Sequence, residues 1–118
     1  MIGRANRFHG YGSLRYAYRH GKTVRGPLMG LRYCPNPKRS DYRLAVVVSK
    51  KVHKSAVTRN RIRRRLYELL RTSLRSDQPF DLVVTVFSAN AADAPIDELR
   101  EQVLSLIEQA KLEQTVNN

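Results

Sequence analysis

Carboxylates are nearly missing from the first half of this chain. Asp41 is the one acid among the first 67 residues. Metal-dependent nucleases gather several carboxylates around divalent ions to activate water, and a segment with a single acid cannot build such a cluster. The later acids are scattered or fall on the exposed face of the last expected helix. Cysteine is as scarce. Cys34 stands alone, which excludes an intrachain disulfide and fits a reducing compartment. It reads as a small, half-buried hydrophobe rather than a nucleophile. No apolar run approaches membrane-spanning length, and the N-terminal segment has no apolar signal region. A soluble cytoplasmic protein with no membrane partner is expected. Internal repeats and low-complexity stretches are absent as well. Gly10 and Gly12 in HGYGS lack the Gly-Lys-Ser/Thr that would complete a phosphate-binding loop.

Positive charge, by contrast, is plentiful and clustered. The net charge is +12 and the isoelectric point about 10.6. Residues 50–65, KKVHKSAVTRNRIRRR, hold three Lys, five Arg and no acid. Residues 1–49 carry a net +9, whereas residues 66–118 carry a net −5. Clustering of this kind points to a polyanionic partner. Solubility alone needs no clustering and is better served by mixed signs.

With 118 residues, 42% of them hydrophobic, the chain can enclose one modest core as a single domain. Leu14, Ala17 and Tyr18 follow helical spacing and Gly21 is a plausible stop, so a first helix is expected at about Gly12–His20. Leu28–Tyr33 reads as a strand, and Arg43–Ser49 as a stronger one. The Val run of the latter predicts burial on both faces, as in the middle of a covered sheet. Ser55 suits the cap of a helix over about Ala56–Leu74. Its apolar stripe is Ile62, Leu66, Leu69 and Ser73, with Leu70 beside it. At about 100° per residue, Arg61, Arg64 and Arg65 project opposite that stripe, and Arg59, Arg63 and Tyr67 lie on a different flank. One helix thus packs on the core and offers two basic surfaces. Glu68 is its only acid, whereas a merely solvated face would intersperse Glu.

Asp81–Phe87 is another buried strand. Pro95 suits the first position of a last helix, with Asp97 and Glu98 at its positive end. Ile96, Leu99, Val103, Leu106, Ile107 and Ala110 form its apolar stripe, and the tail after Leu112 is expected to fray. The element order is helix, two or three strands, helix, strand, helix: an α+β sandwich with helices on a small sheet.

Tyr11, Tyr16, Tyr18, Tyr33, Tyr42 and Phe8 are interleaved with Arg. Such rings stack on unpaired bases without demanding a sequence, although each could as well pack in the core with its hydroxyl at the surface. His9, His20 and His53 sit in Arg/Lys-rich segments without the partnering motif that general acid–base catalysis requires. The residues describe a binding apparatus rather than a protein-borne active site.

Ser49-Lys50-Lys51, followed by Arg59-Asn60-Arg61-Ile62-Arg63-Arg64, resembles the signature of the protein subunit of bacterial ribonuclease P. Asn6-Arg7-Phe8, Arg19-His20-Gly21 and Asp81-Leu82-Val83-Val84 resemble other landmarks of that family in the expected order, over about residues 6–110. The resemblance implies a small mixed sheet with three helices, shared with a ribosomal-protein domain and containing a left-handed crossover, an exception to the usual rule. It implies a protein that assists rather than catalyses. Its partners would be a catalytic RNA, bound 1:1, and precursor tRNA, whose 5′ leader is removed with RNA-associated Mg2+. By resemblance, Lys50, Lys51, Lys54, Arg59, Asn60, Arg61, Arg64 and Arg65 would contact the catalytic RNA, with Asn60 helping to organise a metal there. Leu14, Tyr18, Val47, Arg59, Arg63, Tyr67 and Phe87 would line the leader cleft. In the first strand either Arg32 or Tyr33 points into it, because a one-residue slip exchanges the faces. The first helix departs from the family in presenting Leu14 and Tyr18 where two aromatics are usual. Phe87-Ser88 stands where the last strand often continues into Arg or Lys.

Three other readings compete. A ribosomal or ribosome-assembly RNA-binding protein fits the charge equally well, and the Arg-Asn-Arg context speaks against it. A stand-alone ribonuclease would place His20 or His53 in acid–base roles. A DNA-compacting protein suits the tyrosines less well than unpaired RNA does.

Overall fold

The computed structural model describes residues 11–36, 41–74 and 80–110. The Asn6-Arg7-Phe8 segment, most of the loop before Phe80 and the tail after Leu112 lie outside the described residues. In chain order the elements are α1 (Tyr11–His20), β1 (Lys22–Arg25), β2 (Met29–Pro35), β3 (Arg43–Val47), α2 (Ala56–Ser73), β4 (Phe80–Val86), a 3-10 turn (Ala89–Ala92) and α3 (Ile96–Gln109). The four strands form one mixed sheet in the order β1-β2-β4-β3. β1 and β4 run antiparallel to β2, and β3 runs parallel to β4, so α2 makes a crossover between parallel neighbours.

Period-two alternation divides the sheet into two faces. Met29, Leu31, Leu44, Val46, Leu82, Val84 and Val86 join Ile62, Leu66, Leu69 and Leu70 of α2 and Leu99, Val103, Leu106 and Ile107 of α3 in the main core. Ile62 and Leu66 are fully enclosed; truncation at such positions costs about 2–5 kcal/mol. On the other face α1 packs over β2 and β4, burying Ala17, Cys34 and Val83. Gly21 ends α1, donating to the Ala17 carbonyl at 2.9 Å. A Cβ at Gly21 would lie 2.5 Å from that carbonyl oxygen and 2.9 Å from the Tyr33 oxygen, so no larger residue fits.

The expected strand Arg43–Ser49 is shorter, and it is an edge strand rather than a central one. Leu44 and Val46 are buried, whereas Ala45 and Val47 remain half-exposed because α1 covers β2 and β4 but leaves β3 open. The strand buried on both faces is β4, where Leu82, Val83 and Val84 are all enclosed. Strand β1 did not stand out in the sequence, since only Val24 turns towards the core.

Ser55 caps α2 as expected, its hydroxyl accepting from the Thr58 amide at 3.3 Å. His53 supports the same turn: its Nδ1 accepts from the Ser55 amide at 3.0 Å. Pro95 occupies the cap position rather than the first turn of α3, and Asp97 and Glu98 lie in that first turn. Among the described residues no helix is long and apolar enough to cross a membrane.

Candidate nucleic-acid interface

The open face of β3 shapes the site. Register places Val47 beside Thr85, Thr85 beside Gly30 and Gly30 beside Arg25. The next row on the same face runs Ala45, Val83, Arg32 and Thr23. Arg32 therefore lies on the α1 side: its Nε donates to the Ala17 carbonyl at 3.0 Å and its Nη1 to Thr23 Oγ1 at 2.7 Å. These bonds tie α1 to the sheet. Tyr33 lies on the opposite face, packed against the core and beside Phe80 with ring centroids 6.5 Å apart. Of the two alternatives, Arg32 faces the groove and Tyr33 does not; the pleat allows only one.

Phe87 extends the groove floor beyond β4. It is 41% exposed, and its amide donates to the Leu28 carbonyl at 2.8 Å. The Arg25 guanidinium stands 4.7 Å from the ring centroid, a cation–π distance. Phe87 Cζ lies 3.0 Å from the point a Cβ at Gly30 would occupy. Gly30 thus lets the ring settle on the sheet. Arg25 escaped the sequence reading because β1 turns only Val24 inward and shows little periodicity, and Gly30 because its role depends on where the Phe87 ring lies.

One flank of α2 runs along the open edge of β3. The Val46 amide, on that edge, donates to the Tyr67 hydroxyl at 3.2 Å. Arg59 and Arg63 continue the flank towards the helix N-terminus. The buried Arg59 Nε has no partner among the described residues. Arg63 Nη2 donates to Asn60 Oδ1. Register thus puts Arg32, Val47 and Phe87 on the α1 face of the sheet, with Tyr67 against the β3 edge and Arg59 and Arg63 on the same flank of α2 by helical spacing. Tyr18 is on α1 and exposed, and the side chain of Leu14 lies outside the described residues.

The other flank is more occupied than the sequence suggests. Arg65 is half-buried, and donates from Nη1 to the Ala91 carbonyl at 2.9 Å and from Nη2 to the Ala94 carbonyl. It clamps the 3-10 turn to α2, so its place opposite the apolar stripe is corrected: it sits beside the stripe. Arg61 pairs with Asp93 at 3.1 Å, with both side chains exposed. Arg64 is exposed and makes no side-chain bond among the described residues. Lys50, Lys51 and Lys54 are exposed on the turn before α2, which the Val52 amide closes by donating to the Ser49 carbonyl at 3.0 Å.

The acids nearby are already neutralised. Asp81, 2% exposed, accepts from Arg43 Nε at 2.9 Å and Nη2 at 2.8 Å, and from Asn36 Nδ2 at 3.0 Å. Glu68 binds Arg71 at 2.9 Å, and chiefly that hydrogen bond holds its carboxyl well below the usual carboxylate range. Burial, then the neighbouring Asp81 carboxylate, pushes the Cys34 thiol up, which keeps it protonated and unreactive at neutral pH. The surface that remains is basic and aromatic, suited to phosphates and unpaired bases.

The sequence model described as Ribonuclease P matches residues 2–111. The chain is 32% identical to the ribonuclease P protein component of Synechococcus sp. (strain RCC307), over 95% of this chain and 97% of that protein. It is 37% identical to the component from Clostridium botulinum (strain Loch Maree / Type A3), over 81% and 86%. The fold is that of the Staphylococcus aureus RNase P protein, with a TM-score of 0.80 at 23% identity over 94% of this chain and 100% of that one. It also superposes on the RNase P protein from Thermotoga maritima, with a TM-score of 0.74 at 23% identity over 87% and 96%. By its sequence match along nearly the whole chain, supported by the fold, this protein belongs to the ribonuclease P protein family.

Proposed function

We propose that the chain is the RNA-binding, non-catalytic subunit of a ribonuclease P and assists removal of the 5′ leader from precursor tRNA in the cytoplasm. One catalytic RNA would bind one copy of the protein. The observation that carries this reading is the open β3 face flanked by Arg59, Arg63 and Tyr67. It is a groove with an apolar floor and cationic walls, which suits a single strand better than a duplex.

In this reading Ala45, Val47 and Phe87 form the surface against which leader bases lie. Arg63 and Arg59 meet leader phosphates from the α2 side. Arg59 Nε, buried and without a partner among the described residues, would reach such an acceptor only if the side chain turns outward. Arg25 and Arg32 supply positive charge from the β1–β2 side. Arg61, Arg64, Lys50, Lys51 and Lys54 face the catalytic RNA. Arg61 exchanges Asp93 for a phosphate, a swap that an exposed pair with little net stabilisation permits.

Mg2+ fits the protein poorly. Among the described residues no group of three or more His, Cys, Asp or Glu is placed to hold a metal. Asn60 Oδ1 faces the Arg63 guanidinium, a cation that discourages a second one. The proposal leaves Mg2+ on the RNA. The protein's part is to hold leader and catalytic RNA together and to lower the repulsion between them.

The test is charge reversal in the groove. Arg63→Glu should weaken leader-containing precursor tRNA by about tenfold or more while leaving mature tRNA binding to the assembled enzyme nearly unchanged, since each phosphate contact adds to affinity and salt dependence. Equal loss for both substrates would contradict the assignment of this flank to the leader.

A further inference from the structure

Helix α1 carries a second basic, aromatic surface that none of the roles above uses. Arg15, Tyr16, Arg19 and His20 line a shallow depression of about 180 Å³. The Tyr16 and His20 rings stack with centroids 4.3 Å apart and planes inclined by 35°. Tyr16 is 55% exposed. Ala17 is fully buried where α1 meets the sheet. At about 100° per residue, Arg15 and Arg19 lie on the side away from Ala17, with Tyr16 and His20 on the adjoining flank. No acid precedes Asp41 in the sequence, so α1 supplies no carboxylate to these guanidinium groups. Of the strands packed against α1, β2 has no acid and β4 has only Asp81, which Arg43 already holds.

We propose that this outer face of α1 is a second RNA site, which takes one unpaired nucleotide with its base on the Tyr16–His20 pair and its flanking phosphates on Arg15 and Arg19. A solvated helix face accounts for the arginines but not for an exposed Tyr stacked on a His beside them. An aromatic platform bordered by two guanidinium groups one helical turn apart is the combination that holds single-stranded nucleic acid without sequence preference. The site goes beyond the proposed leader groove. A strand lying in that groove would have to wrap around α1 to reach Arg15 and Arg19, so the outer face receives a different RNA segment.

The direct experiment is photocrosslinking of full-length protein to octauridylate carrying 5-iodouridine, with the attachment sites mapped by mass spectrometry. Crosslinks are expected at Tyr16 or His20 as well as in the groove. They should persist in Tyr16→Phe and vanish in the double variant Arg15→Gln/Arg19→Gln, whose affinity for the oligonucleotide should fall at least about fivefold. These side chains are exposed, so thermal unfolding of each variant should match the parent. Crosslinks confined to the groove, with unchanged affinity in the double variant, would overturn the proposal. So would a polyglutamate peptide that binds this face more tightly than the oligonucleotide, which would make it a protein contact. The subunit reading is judged separately, by stimulation of precursor-tRNA cleavage, so the two can fail independently.

Discussion

Arg64 and Arg65 are neighbours in sequence and do opposite things. Arg64 points into solvent, whereas Arg65 holds two carbonyls of the segment that follows β4. Removing Arg65 strands those carbonyls and loosens the 3-10 turn. Hydrogen bonds from a charged donor contribute about 1.5–3 kcal/mol, so Arg65→Ala should lower unfolding free energy by about that much in urea. Arg64→Ala should stay within about 0.5 kcal/mol of the parent. It should instead weaken catalytic-RNA binding and reduce the slope of log affinity against log salt by about 1. Cys34 gives a pH prediction. Burial raises its folded pKa above the unfolded value of about 8.5. The folded state therefore holds the thiol proton more tightly. That contribution is fully present below the unfolded pKa and is lost as pH rises towards the folded value. Urea unfolding between neutral pH and about pH 10 should show stability falling, and Cys34→Ala should flatten part of the decline; Tyr42, raised mainly by burial, contributes in the same direction only above about pH 10.

At the level of elements, the groove exists because α1 covers β2 and β4 and stops short of β3. Its floor depends on Gly30, which leaves room for the Phe87 ring. Gly30→Ala places a methyl carbon 3.0 Å from Phe87 Cζ, so the ring must lift from the sheet and away from Arg25. Leader affinity should drop about threefold to tenfold, the range of a weakened stacking contact, while catalytic-RNA binding holds; equal weakening of both would show that the change unsettled the fold instead. The sequence made the long elements legible. The stripes Ile62/Leu66/Leu69 and Leu99/Val103/Leu106 mark α2 and α3, and Ser55 marks the start of α2. What escaped has physical reasons. A Val-rich strand such as Arg43–Val47 looks the same whether one face or two are covered, since coverage depends on where α1 lies. β1 turns only Val24 inward and shows too little periodicity. The choice between Arg32 and Tyr33 hangs on a one-residue register that pairing with β1 and β4 decides. Arg65 seemed free because its partners belong to a 3-10 turn with no strong sequence mark.

Across the whole molecule, charge is segregated. The basic residues gather on α1, the turn before α2 and α2 itself, and α3 carries Asp97, Glu98, Glu101 and Glu108 on its exposed side. In the proposed role, such a dipolar body would meet RNA with its basic side and keep α3 outward. Family membership is shown by sequence; the proposal that goes beyond it is that the protein assists an RNA catalyst rather than cutting RNA itself. Among the described residues His53 helps form the turn before α2 and His20 stacks on Tyr16, and neither pairs with a carboxylate. The decisive measurement is cleavage of precursor tRNA at low Mg2+, with protein alone, catalytic RNA alone, and the two together. Cutting at the mature 5′ end only by the combination is the expected result. Cutting by the protein alone, or a protein that never stimulates the RNA, would contradict it.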